Sequence, residues 1–174
     1  MKHDWPTVPL GEVIRPVERG ETPRAGKLYQ QLGVRLWGEG AYARESIDGS
    51  QTRYPQFTRV EADDVVVNKI WARNGSVAVV CEELAGYYVS TEFPTFAPNH
   101  DRLDPRWMHW LTKTPDFWQQ CDKRARGTSG KNRIRPEQFL RVEIPLPPVT
   151  EQRRIVARIE QLAAQIAEAR RLRH

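Results

Sequence analysis

Leu146-Pro147-Pro148-Val149-Thr150-Glu151-Gln152-Arg153-Arg154-Ile155 is the stretch that divides the chain. Proline interrupts a helix and pushes the residue before it towards an extended conformation, so two in succession make a stiff break. Beyond the break the pattern changes. Apolar positions recur at Ile155, Ile159, Leu162, Ile166 and Ala169, spaced 4, 3, 4 and 3, with Ala157, Ala163, Ala164 and Ala167 among them. That spacing predicts one long helix, capped by Thr150, with an apolar seam of coiled-coil type at Ile155, Ile159, Leu162 and Ile166. It divides the chain into a domain over 1–148 and a helix over 149–174. Two fates remain open for so short a seam: the helix folds back on its own domain, or it projects towards a partner. The prolines and the flanking Arg and Glu favour projection.

Just before this junction lies the charge. Lys123, Arg124, Arg126, Lys131, Arg133 and Arg135 fall within thirteen residues that hold no acid, and the other 21 Lys and Arg are matched by 22 Asp and Glu. The net charge of +5 therefore has one source. Gly127, Thr128, Ser129, Gly130 and Asn132 share the segment. Backbone amides, hydroxyls and guanidinium forks all donate to phosphate oxygens, so the segment suits a phosphate backbone. A merely solvated basic loop is the competing reading.

Further upstream, Asp104-Pro105 and Thr114-Pro115 each pair an N-cap residue with proline at the first helical position, predicting short helices over about 105–111 and 115–124. Trp107, Trp110, Phe117 and Trp118 lie on them and are expected to bury their rings against a sheet, a base-stacking platform being the alternative. The sheet is foreshadowed by Val65–Ile70, Ser76–Val80 and Tyr87–Ser90, runs of β-branched and aromatic residues bounded by turn residues. Asn74-Gly75 signals a hairpin between the first two, with a loop that can exceed two residues. Trp5 to Ile14 reads as an extended arm entering a short strand or helical turn, and the region through Gly26 as loop-rich. The expected class is α/β in the α+β sense: a mixed or antiparallel twisted sheet with short helices, followed by one long C-terminal helix.

Composition bounds the function. With 174 residues, 39% hydrophobic and 28% charged, the chain fits one globular domain with a short appendage. A mean hydropathy of -0.67 and the lack of a long apolar run argue against a membrane span. Met1 to Pro6 lacks the apolar stretch of a signal peptide. Cys81 and Cys121 form no CxxC pair, which argues against a zinc site or disulfide scaffold and for a reducing cytoplasm.

Catalytic motifs fail their own tests. Gly127-Thr128-Ser129-Gly130-Lys131-Asn132 has Asn132 where a phosphate-binding P-loop needs Ser or Thr. Lys27, Lys69, Lys113, Lys123 and Lys131 lack the acid two residues earlier that common metal-dependent nucleases carry. Pro147-Pro148 lacks the Asn or Asp and the aromatic that flank it in amino-methyltransferases. His3, His100, His109 and His174 have no nucleophile at a recognisable spacing. No catalytic or metal-ligating residue is assigned.

The run from Ile144 to Val156 resembles the boundary between recognition domain and conserved helix in the specificity subunits of type I restriction–modification systems. Trp5 to Val13 resembles that family's domain start. Gly33-Val34-Arg35, the turn at Gly38-Glu39-Gly40, Asp63 to Lys69, Ser90-Thr91-Glu92-Phe93-Pro94, and Gly127 to Gly130 with Arg133-Ile134 also fit. The resemblance covers essentially the whole chain, and its Leu-Pro-Pro-x-x-Glu-Gln junction is the most specific part.

The resemblance implies a non-catalytic target recognition domain that reads one half of a split sequence in double-stranded DNA. Its implied partners are methyltransferase subunits, an ATP-driven restriction and translocase subunit, and a second copy of the chain or another specificity chain. S-adenosylmethionine, ATP and magnesium are expected only in those partners. The family plan has two recognition domains joined by long helices, whereas this chain has one of each. It is therefore expected to be a half-size subunit or a piece of a longer one. Two identical readers would recognise an interrupted palindrome. Thr150 to Arg173 as a helix would span roughly 36 Å, close to the ~34–36 Å between half-sites one DNA turn apart.

Expected phosphate contacts are Arg124, Arg126, Lys131, Arg133 and Arg135, with Thr128 and Ser129 donating beside them. Asn132 suits adenine and an Arg suits guanine. The loop holding Lys69, Trp71, Arg73 and Asn74 is a second candidate reader, although Trp71 can equally be a packing residue. The rival classes are a small nuclease or methyltransferase with an unfamiliar site, and an assembly adaptor whose basic loop binds acidic protein surfaces.

Overall fold

The computed structural model describes residues 3–125 and 132–173. The first half holds β1 (Thr7–Pro9), β2 (Ile14–Pro16), β3 (Gly20–Glu21), β4 (Leu28–Tyr29), β5 (Leu32–Val34), β6 (Ala41–Ala43), β7 (Ile47–Asp48) and β8 (Phe57–Arg59). Then come β9 (Val65–Val67), β10 (Val77–Val79), β11 (Tyr88–Ser90), β12 (Thr95–Pro98), α1 (Pro105–Leu111), α2 (Pro115–Ala125), α3 (Pro136–Phe139), β13 (Glu143–Pro145) and α4 (Val149–Arg171).

Three consecutive valines explain the centre. Val65 and Val67 point into one core with Leu10, Phe96, Met108 and Phe117, while Val66 points into another with Leu32, Val60, Ala78 and Val89. Side chains alternate along a strand, so β9 must be covered on both faces. It lies between β10 and β12 in the antiparallel order β10-β9-β12-β2, with Val66 opposite Ala78 and Thr95. Complete burial of a valine side chain is worth roughly 1.5–2 kcal/mol, so these residues anchor the domain. Smaller antiparallel ladders, β11-β8-β3, β4-β7 and β5-β6, surround this sheet. Among the described residues, an isolated parallel bridge joins Gln31 to Tyr88.

The N-terminal arm is a strand. Val8 of β1 sits opposite Ile144 of β13, and Leu146 N–H donates to the Pro6 carbonyl at 2.8 Å, so the arm is paired with the segment that leads into α4. The two proline-capped helices form where expected. Asp104 accepts from the Arg106 N–H at 2.8 Å, and Thr114 Oγ1 accepts more loosely from the Phe117 N–H.

Several expectations are corrected. The last helix starts at Val149 with Pro148, not Thr150, as its N-cap, because the fixed Pro148 backbone (φ -52, ψ 148) already turns the chain. The strand expected over 65–70 stops at Val67, since Asn68 Oδ1 accepts from both Ile70 and Trp71 N–H groups and folds the chain over. The hairpin signalled by Asn74-Gly75 does form between β9 and β10, through a loop longer than two residues. Ala72–Asn74 is a 3-10 turn that ends on Gly75 at φ 79, where a side chain would be strained. Of the four helix aromatics, Trp107 and Phe117 are buried, whereas Trp110 and Trp118 are only half-buried.

Candidate nucleic-acid interface

Two candidate stretches far apart in sequence meet in space. The Ile134 N–H donates to the Lys69 carbonyl at 2.9 Å, which lays the end of the basic segment beside the start of the 69–74 loop. On the loop's other side, α2 packs along the Ala72–Asn74 turn and carries Lys123 and Arg124 in its last turn. Arg126, Thr128, Ser129 and Lys131 lie outside the described residues.

The individual cations differ. Arg124 and Lys69 are half-buried. Arg133 is exposed and donates to Glu92 Oε1 at 3.0 Å, while Arg135 Nε lies 3.2 Å from Glu137. Such exposed pairs are worth at most about 1 kcal/mol, so an arriving phosphate competes readily for either guanidinium. Asn132 is half-buried beside them.

Arg73 and Asn74 line a cleft of about 410 Å³ with Trp37, Pro115, Trp118, Gln119 and Asp122. Sequence reading had passed over Trp37. Its N–H donates to the Asn74 carbonyl at 2.7 Å, the Gly38 N–H donates to the Gly75 carbonyl at 3.0 Å, and Lys113 Nζ donates to the Gly38 carbonyl. These bonds zip the 37–38 and 74–75 turns together. They also hold Trp37 at φ 58, a left-handed conformation costing a non-glycine residue about 1–2 kcal/mol. The close approach requires Gly75, where a Cβ would come within 2.7 Å of Trp37 Cα. Trp37 touches Trp118 edge-on at 5.5 Å between ring centroids, yet 53% of Trp37 is exposed, and Trp71 is 45% exposed. The adjoining Gly38-Glu39-Gly40 turn was its one sequence signal; exposed and core tryptophans look alike in a sequence.

The edge so formed combines cations, an amide and exposed indoles, the chemistry for phosphates, base edges and base faces respectively. Other reactive groups are placed differently. Burial pushes the Cys121 thiol up to about 12, which keeps it protonated and inert as a nucleophile. His109 is held below its ordinary value, first by burial and then by Lys113. Among the described residues, no three His, Cys, Asp or Glu side chains gather into a candidate metal site. Nor is any described helix long and apolar enough to cross a membrane.

The proposed seam divides along α4. Ile155 packs partly against the domain's own core and Ile159 is half-buried, whereas Leu162 and Ile166 are exposed. The base of the helix therefore folds against the domain while its distal half stands clear.

A family model described as the type I restriction modification DNA specificity domain matches residues 2–173. No curated protein matches significantly in sequence. The crystal structure of the HsdS subunit from Thermoanaerobacter tengcongensis is similar, with a TM-score of 0.81 and 26% identity over 99% of this chain and 45% of that one. A structure described as the basis of complex assembly and conformational transition of the type I R-M system shares the fold. There the TM-score is 0.67 and the identity 23%, over 97% of this chain and 44% of that one. The chain thus spans less than half the length of either.

Proposed function

Since the chain belongs to the type I restriction modification DNA specificity domain family, we propose that it is a non-catalytic reader of one half of a bipartite double-stranded DNA target. In this reading it directs methyltransferase and restriction subunits to that target. The observation that carries the proposal is the meeting of the 69–74 loop with the basic segment through Ile134 and Lys69. Lys69, Arg124, Arg133 and Arg135, with the undescribed Arg126 and Lys131, hold the phosphates. Thr128 and Ser129 donate beside them. Arg73, Asn74 and Asn132 meet base edges, and the exposed indole of Trp37 offers an apolar contact beside them.

The distal α4 seam at Leu162 and Ile166, continued by Ile159, joins the chain to a second copy or another specificity chain. Ile155 serves the domain side of the same helix. S-adenosylmethionine, ATP and magnesium belong to the partner subunits, and the assembly acts in the cytoplasm.

The direct test is duplex binding across a salt series. If about five of these six cations neutralise phosphates at once, the logarithm of affinity falls against that of salt with a slope near roughly -4.5. A slope near zero removes the DNA reading and leaves an adaptor for acidic proteins.

A further inference from the structure

We propose that Gln152 is a positioning residue: it fixes the direction in which α4 leaves the domain and thereby the spacing between the two half-sites. The inference rests on the reading of the chain as a DNA reader that pairs through α4. Gln152 sits in the first turns of the helix, yet it has no exposed surface. Its Oε1 accepts from the Asp104 N–H at 2.8 Å, at the start of α1. Its Nε2 donates to the carbonyls of Arg102 and Pro147, each at 2.8 Å. One amide thus ties α4 to the loop before α1 and to the proline break, along three directions.

The other restraints are less directional. Val156 is the second buried side chain of α4, and an apolar contact permits rotation. Arg153 lies 3.5 Å from Asp104, and Arg106 lies 3.6 Å from Glu160, but three of these four side chains are substantially exposed. Exposed pairs hold weakly.

Leverage makes the angle matter. From Gln152 to Arg171 the helix runs roughly 28 Å, so a tilt of about 10° moves its tip by about 5 Å, more than the ~3.4 Å step of one base pair. A tolerance of a few degrees at the pivot therefore separates one spacer length from the next.

The test has two arms. For the first, spin labels go on exposed Cys81 and on a Glu168→Cys variant, with Cys121 buried and protected, and the labelled chain is diluted into unlabelled chain. The Gln152 background should give one narrow distance peak, and Gln152→Met, of similar size but without the hydrogen bonds, should broaden it at least twofold. Gln152→Glu, which cannot donate to the two carbonyls, should broaden it as well. A broad peak with Gln152 intact overturns the proposal even if no variant folds, and so does an unchanged width in a folded Gln152→Met chain.

For the second arm, the unlabelled chain and its Gln152→Met variant are each used to select from a randomised DNA duplex pool. The intact chain should enrich one spacer length. The variant should keep the same half-site sequence but accept spacers at least one base pair longer or shorter. An unchanged single spacer in the variant overturns the positioning role. If the intact chain enriches only one half-site, the pairing of two copies falls and the spacing proposal with it, while the DNA reading stands; if it enriches no sequence at all, the DNA reading itself falls.

Discussion

Arg73 and Asn74 show how much a single backbone turn decides. Their side chains are of types that pair with guanine and adenine edges, but their position depends on Gly75 and on the two amides of residues 37 and 38. Exchanging both for Ala should change which DNA sequence the chain prefers while leaving the salt slope nearly unaltered, as measured by selection from a duplex pool. An unchanged preference would remove this loop from the reader surface. Trp37→Ala should weaken duplex binding by roughly tenfold through loss of an apolar contact at the groove, such as that made with a thymine methyl, and Trp37→Phe should restore most of it.

Glu21 makes a residue-scale prediction about stability. Lys27 Nζ donates to its carboxylate, chiefly holding it below the ordinary value of 4.5, and Tyr88 and Tyr29 hydroxyls add to the effect against the cost of burial. A depressed folded value stabilises the fold above the unfolded value. That contribution drains away as pH falls through the folded one. Glu21→Gln should therefore lower stability at neutral pH and flatten the loss of stability that sets in as pH falls below about 4.5 in unfolding curves.

Among the elements, α4 is two structures in one. Its first turns complete the domain through Gln152, Val156 and the partly packed Ile155, while Leu162, Ile166 and Leu172 are left to solvent. Leu162→Asp with Ile159→Asp should yield monomers by sedimentation, because carboxylates in an apolar seam would be desolvated without partners. A double variant that still sediments as a dimer would rule out the seam. The short α1 makes a separate prediction. Asp104→Ala removes the cap on Arg106 N–H and the partner of Arg153, and should cost about 1–2 kcal/mol in denaturant unfolding.

For the whole molecule, co-expression with the cognate methyltransferase subunit should yield methylation at an interrupted palindrome if two copies pair symmetrically. An asymmetric motif would assign the second half to another specificity chain. The sequence by itself determined the punctuation of the fold. Asp104-Pro105 and Thr114-Pro115 start α1 and α2 where local chemistry dictates, and Pro147-Pro148 separates the last helix from the domain. The basic segment, too, was legible before any coordinate, since composition alone isolates it. Helix starts and charge runs are local properties, set within a few residues of the chain. Tertiary structure decided the rest: that β1 closes against β13, that the 69–74 loop lies beside Ile134, that Trp37 rides on Asn74, and that a glutamine in a polar run becomes the buried tie of α4. Each joins segments distant in sequence through backbone carbonyls and amides. Every non-proline residue carries both groups, so the identity of the side chain does not reveal which distant partner each will meet.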